Sequence, residues 1–160
     1  MMKKTLIFCS IALFIASCGG SGEQNNSQST ESATTDQTAE DGKPAYDPNR
    51  GEGKFENVQV SEKLDASMAE KGQAIADLKC MSCHKSTDER LVGPGWAGVT
   101  SRHTPEWIMN FMTNTDAMID KDPKAQAMLE ICMVRMPNQS LSDDDARNIY
   151  EYMRKIDNVK

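Results

Sequence analysis

The run Cys80-Met81-Ser82-Cys83-His84 constrains this chain more than any other feature. Two thiols three positions apart can add across the two vinyl groups of one haem. The histidine directly after them can bind the iron from one face, so the spacing reads as a covalent haem attachment site. C-x-x-C alone is shared with zinc sites and thioredoxin-like redox motifs. The adjoining His84 and the context of the motif must carry the discrimination.

The first context is export. Lys3 and Lys4 form a basic start, and Leu6 to Ala16 is an apolar stretch too short to span a bilayer. It ends at Ile15-Ala16-Ser17-Cys18, which resembles the lipobox of bacterial lipoproteins. Residues 1–17 then read as a signal peptide and Cys18 as the lipidated first residue of the mature chain. An ordinary secretory signal or an uncleaved membrane helix is the alternative. Each puts the working domain outside the cytoplasm, facing the periplasm or the cell exterior, where c-type haem is assembled.

Residues 19 to about 55 are rich in Gly, Ser, Thr, Gln, Asn, Glu and Asp, with almost no apolar residue before Tyr46. Such a stretch cannot bury enough surface to offset its chain entropy. The expected organisation is a lipidated flexible linker over 18–57 and a folded domain over 58–160. A disordered tether of that length has a random-coil reach of about 35 Å.

The 18 basic residues fall to 16 when Lys3 and Lys4 leave, against 24 acidic ones, giving a net charge near −8. That sign disfavours nucleic acid and anionic bilayers as partners. It suits a partner with a basic docking patch; plain solubility is the alternative.

The five cysteines are nearly accounted for. Cys9 leaves with the signal, Cys18 takes lipid, and Cys80 and Cys83 take haem. Cys132 lies in the apolar run Leu129 to Val134 and reads as a small buried apolar side chain.

The patterning is all-α. Asp65 caps a helix leading to the haem motif, with Met68, Ala69, Gly72, Ile75 and Ala76 on one side. Thr104-Pro105 starts a second, bearing Trp107, Ile108, Phe111 and Met112, and Asp122-Pro123 repeats the device before Ala125 to Met133. Ser142-Asp143-Asp144-Asp145 opens the last, whose apolar face is Ala146, Ile149, Tyr152, Met153 and Ile156. No strand run stands out.

Residues from about 65 to 156 resemble a class I monohaem c-type cytochrome domain. The resemblance rests on a helix entering C-x-x-C-H, Gly72 eight residues before Cys80, the Gly93-Pro94 loop, and Tyr152 on the last helix. It implies a small helical fold around one covalent haem, with the first and last helices crossing. It implies that the Pro94 carbonyl accepts a hydrogen bond from His84. It also implies a downstream methionine as second iron ligand and single-electron transfer as the function. Gly95-Trp96 departs from the commoner pattern of a smaller apolar residue after Gly-Pro. Residues 98–108 more weakly resemble small cytochromes that accompany respiratory reductases, including those of nitrogen-oxide respiration.

Among 11 methionines, Met136 stands 52 residues after His84 and just before Pro137, where the resemblance puts the axial ligand. Met133, Met118 and His103 are the alternatives; otherwise His103 reads as a solvated loop imidazole. A thioether is a soft, neutral ligand, and His/Met ligation raises the reduction potential. Trp96, Arg102 and Trp107 are candidate partners of the haem propionates, with a core aromatic the favoured reading of Trp107 and a solvated charge the alternative for Arg102. Leu91, Trp96, Phe111 and Ile131 are candidate pocket walls. Two rival functions remain. One is a ligand-sensing or catalytic haem protein with an open axial position. The other is a zinc module using Cys80, Cys83, His84 and either His103 or Cys132.

Overall fold

Two helices that cross at a glycine organise the molecule. The computed structural model describes residues 46–160, so the expected signal peptide, Cys18 and most of the expected linker lie outside the described residues. Among the described residues six helices follow one another: α1 Ala66–Lys79, α2 Val99–Arg102, α3 Pro105–Thr113, α4 Thr115–Lys121, α5 Pro123–Cys132 and α6 Asp143–Ile156. No strand occurs among the described residues.

The helix starts are set locally. Asp65, Thr104, Asp122 and Ser142 each accept a backbone N–H from the first turn of α1, α3, α5 and α6. These bonds satisfy donors that a helix start leaves unpaired. Asp145 returns the bond to the Ser142 N–H and completes a capping box. Helices α2 and α4 went unforeseen. Asn114 leaves helical geometry between α3 and α4, with φ −136°.

Helix α1 packs on α6 where Gly72 meets the backbone of Asn148; a Cβ at Gly72 would run into the Asn148 carbonyl. Ala69, Ala76, Ala146 and Ile149 are all wholly buried around that contact. Small side chains let the backbones approach, which offsets the roughly 1 kcal/mol that a mid-helix glycine costs.

A buried charge fixes the entry to α1. Glu151 on α6 is fully buried and accepts the Asp65 N–H at 2.8 Å, Arg147 at 2.6 Å and Arg154 at 2.6 Å. Arg154 also donates to the carbonyls of Ser61 and Glu62. Burial pushes the Glu151 carboxyl up, but these donors together hold it below the usual carboxylate range.

The expected linker boundary at residue 57 needs correction. Residues 46–58 form a strap laid across α3, α4 and α5. Asn110, itself fully buried, donates to the carbonyls of Arg50 and Phe55 and accepts the Phe55 N–H. The Tyr46 hydroxyl donates to Asp122, and the Val58 N–H donates to Glu106 at 2.8 Å. Gly51, at φ +68°, sits where a Cβ would strike the Met118 side chain. Polar composition hid this segment because the helices supply its partners, mostly through its backbone groups.

Candidate cofactor site

The motif residues follow the last turn of α1 without a break. The Cys80 N–H still bonds back to Ala76 at 2.8 Å, and the Cys83 and His84 N–H groups both bond to the Cys80 carbonyl at 3.0 Å. The chain then loops and is pinned to the motif. The Cys83 carbonyl accepts the N–H of Val92 at 3.1 Å and of Gly93 at 2.8 Å. Gly93 lies so close to the His84 imidazole that a Cβ there would overlap the ring. Next in line, the Pro94 carbonyl stands 2.8 Å from His84 Nδ1. That bond puts the imidazole proton on Nδ1 and leaves the Nε2 lone pair for a ligand, the usual arrangement behind a metal-binding histidine. Burial lowers the His84 pKa, with the Pro94 bond opposing, so the neutral form is favoured.

Motif and loop face a cavity of about 470 Å³, within the 300–1,000 Å³ range typical of small-molecule and cofactor sites. Cys80, Cys83 and His84 line one part, and α3, α5 and the segment around Met136 line others. The Cys80 thiol is pushed up to about 11 by burial, with Lys79 opposing. The thiolate is the nucleophile, so the folded chain presents little of it at neutral pH.

The structure sorts the methionine candidates. Met136 lines the cavity. Met133 caps α5 in the left-handed conformation and is 84% exposed. Met118 is wholly buried behind the strap, its Sδ accepting the Glu52 N–H at 2.9 Å, and it is not part of the cavity lining. Met112, Met128 and Met153 also border the cavity. Sequence reasoning passed over these three because helical spacing marks them as ordinary core residues.

Trp96 is buried, its ring 5.6 Å from that of His84 and 6.3 Å edge-on from Tyr152, so it braces the imidazole against α6. Arg102 borders the cavity, but its guanidinium donates to the carbonyls of Ala97 at 2.8 Å and Gly95 at 3.5 Å, holding the loop that follows Pro94. Trp107 is buried with its indole N–H on Asp122 at 2.9 Å, which fits a core aromatic. Phe111 lines the cavity as expected, whereas Leu91 and Ile131 do not: they are 50% and 63% exposed. Ile131 falls outside the stripe of α5 made by Met128, Leu129 and Cys132, and Leu91 sits in a turn closed onto Gly93 at 3.2 Å. Cys132 is half-buried and borders the cavity, so it is not an enclosed core residue. His103 is also corrected. It is no solvated loop side chain but stacks on Trp107 and lines the cavity.

The family model for cytochrome c matches residues 69–157. This chain belongs to the cytochrome c family. Among solved structures it is similar to the cytochrome c from Rhodothermus marinus, with 33% identity over 68% of this chain and 92% of that one, at a TM-score of 0.64. An engineered form of that cytochrome, Rma TDE, matches at 33% identity over 66% and 91%, also with a TM-score of 0.64. The same engineered protein bound to a carbene intermediate matches at 33% identity over the same shares, with a TM-score of 0.61. No curated protein matches the chain.

A cytochrome c domain carries a covalently bound c-type haem with its iron, and the residues present fit that group. The paired thiols line the cavity, and an oriented imidazole has its ligating nitrogen unspent. Gly93 leaves room for that ring where any side chain would displace it. The family implies haem-based electron transfer as the general activity of such a domain.

Proposed function

We propose that this protein is a lipid-anchored single-electron carrier in which His84 and Met136 would be the two side chains that hold the haem iron. When bound, the haem supplies a one-electron couple at its iron. The chain's task is to hold that couple rigid, closed and at a raised potential. Pro94 and Gly93 fix the His84 ring, and Trp96 backs it against Tyr152. The observation that carries the reading is the His84 ring, clamped through Nδ1 to Pro94 and facing the same cavity that Met136 lines. A thioether ligand adds no charge and favours the reduced iron. With both side chains bound to the iron, the domain would pass electrons and exclude small ligands.

The electron partners on this reading are a membrane cytochrome complex or a terminal oxidase or reductase with a basic docking patch. The acidic chain steers encounter with it, and that steering weakens with salt. Lipidation at Cys18 confines carrier and partner to one surface and raises their effective concentration. A redox titration of the haem-loaded protein under carbon monoxide tests the core of the reading. One reversible electron per chain, with no carbon monoxide bound by the reduced form, is the expected result. Ready carbon monoxide binding at neutral pH would favour a ligand-binding or catalytic protein instead. Membrane pelleting that survives Cys18→Ser would remove the lipid anchor.

A further inference from the structure

Met136 sits on a stretch of chain with little of its own to hold it. Among the described residues, positions 134–141 make no backbone–backbone hydrogen bond. Met133 turns the chain out of α5 in the left-handed conformation, and both Met133 and Val134 are exposed. Pro137 has no N–H to offer. The bonds from Gln139 to the Pro137 carbonyl and from the Ser140 N–H to Asn138 stay within the stretch. Met136 itself is half-buried.

Among the described residues, two polar ties lead out of this stretch. The Lys79 ammonium donates to the Gln139 carbonyl at 3.0 Å. The other tie is made by Arg135, the residue before Met136. Its Nε donates to Asp116 Oδ1 at 3.2 Å, and a terminal nitrogen donates to Asp120 Oδ1 at 2.7 Å and to the Asp116 carbonyl at 3.2 Å. Asp116 and Asp120 stand one turn apart on α4 and so share a face. That helix is firmly seated, with Thr115 and Met118 wholly buried and Ile119 nearly so. Arg135 therefore fastens the chain beside Met136 to a fixed element.

The clasp is open to solvent, with Arg135 43% exposed, Asp116 69% and Asp120 63%. Exposed ion pairs add little to global stability and weaken with salt. A segment with few buried contacts also opens at low cost, however. A tie of modest strength is then a large share of what keeps that segment closed.

We propose that Arg135 is a positioning residue for the iron ligand: its clasp on Asp116 and Asp120 keeps Met136 at the cavity, and so keeps small neutral ligands off the iron. This inference rests on the reading of Met136 as ligand and deepens it. With the clasp open, Lys79 is the remaining polar tie on the segment, and Met136 yields more readily to a competitor. Because the clasp is exposed, salt loosens it.

The experiment is imidazole binding to the oxidised, haem-loaded full chain, followed by absorption at a pH above the imidazole pKa. Imidazole is then neutral, so its affinity does not simply report the loss of a surface charge. Arg135→Gln is expected to bind it roughly fivefold tighter than the wild type does, the scale of an exposed ion-pair network. Asp116→Asn with Asp120→Asn should give the same shift, and all three substitutions together no more, because each route removes one and the same contact. Arg135→Lys keeps the charge without the planar fork and should fall between. Raising salt to about 1 M, where charges are screened over roughly 3 Å, should bring the wild type toward Arg135→Gln and leave the variant unmoved. Lys54→Gln breaks a different exposed pair, to Asp143, and should behave as the wild type.

Arg135→Gln binding imidazole no tighter than the wild type overturns the proposal. So does an equal shift in Lys54→Gln, which would make any lost ion pair sufficient. An Arg135→Gln effect that persists on top of Met136→Ala overturns it too, since no methionine is then left to position. Should the variants fold poorly, the wild type decides alone: tighter binding at high salt supports the proposal, and an unchanged affinity overturns it. Failure of the Met136 reading looks different. A wild type that binds imidazole as tightly as Met136→Ala, at low salt and high, has no methionine to displace, and this inference falls with that reading.

Discussion

The α1–α6 crossing and the limb from α5 to Met136 are built on different terms. At the crossing, protein packs on protein. Gly72 touches the Asn148 backbone, Ala69, Ala76, Ala146 and Ile149 are wholly buried, and Glu151 accepts from three donors: Asp65, Arg147 and Arg154. Along α5 and beyond it, Ala125 is the sole fully enclosed apolar residue. Met128, Leu129 and Met136 are half-buried against the cavity, and Ile131, Met133 and Val134 are exposed. The difference teaches that one half of this domain is held by its own side chains. On the proposed reading the other half would be ordered by the haem, through the covalent site and the Met136 contact. A core of this size gains much of its order from such a staple.

The largest way to break that contrast is to remove the staple. Cys80→Ala together with Cys83→Ala deprives both vinyl groups of their thiols. The product is expected to lose all haem to acid-acetone extraction and to show no cooperative thermal transition by circular dichroism. Haem that stays with the denatured double variant would contradict the attachment site.

Next comes the self-made half. Gly72→Val drives a branched side chain into the Asn148 carbonyl, at a cost of about 3 kcal/mol, the upper end of overpacking. Chemical denaturation of the haem-loaded protein should report it as an early midpoint. A change below about 0.5 kcal/mol would mean that the helices can separate cheaply there.

The strap sharpens the comparison by a smaller amount. A chain beginning at residue 58 lacks the contacts to Asn110, Asp122 and Met118, whereas one beginning at residue 46 keeps them. The shorter chain should melt several degrees lower. Tyr46→Phe alone should cost about 1 kcal/mol, the usual worth of one hydrogen bond. Equal melting of the two truncated chains would return residues 46–57 to the linker.

How far the sequence carries the account depends on the range of each interaction. The helix starts at Asp65, Thr104, Asp122 and Ser142 were legible because a cap bonds its own first turn. The haem motif and Gly93-Pro94 were legible for the same reason, since the chemistry sits in neighbouring residues. The strap was not, because Arg50 and Phe55 meet Asn110 across 60 and 55 positions. Glu151 falls among the charged positions of an amphipathic helix, and only the return of residues 61–65 buries it. Leu91 and Ile131 misled because an apolar side chain beside a motif need not face it. His103 was legible as a possible ligand, but its place on the cavity wall was not, because that depends on Trp107 lying beneath it.

The central claim is that Met136 would join His84 as a ligand of the haem iron. Its most direct test is the weak long-wavelength absorption band by which oxidised haem reports a methionine–iron bond, recorded for the wild type and for Met136→Ala. The account predicts the band in the wild type. In the variant it predicts loss of the band, a lower potential and carbon monoxide binding by the reduced form. A band that survives in Met136→Ala would hand the ligand role to another cavity methionine, Met112, Met128 or Met153, and contradict the assignment.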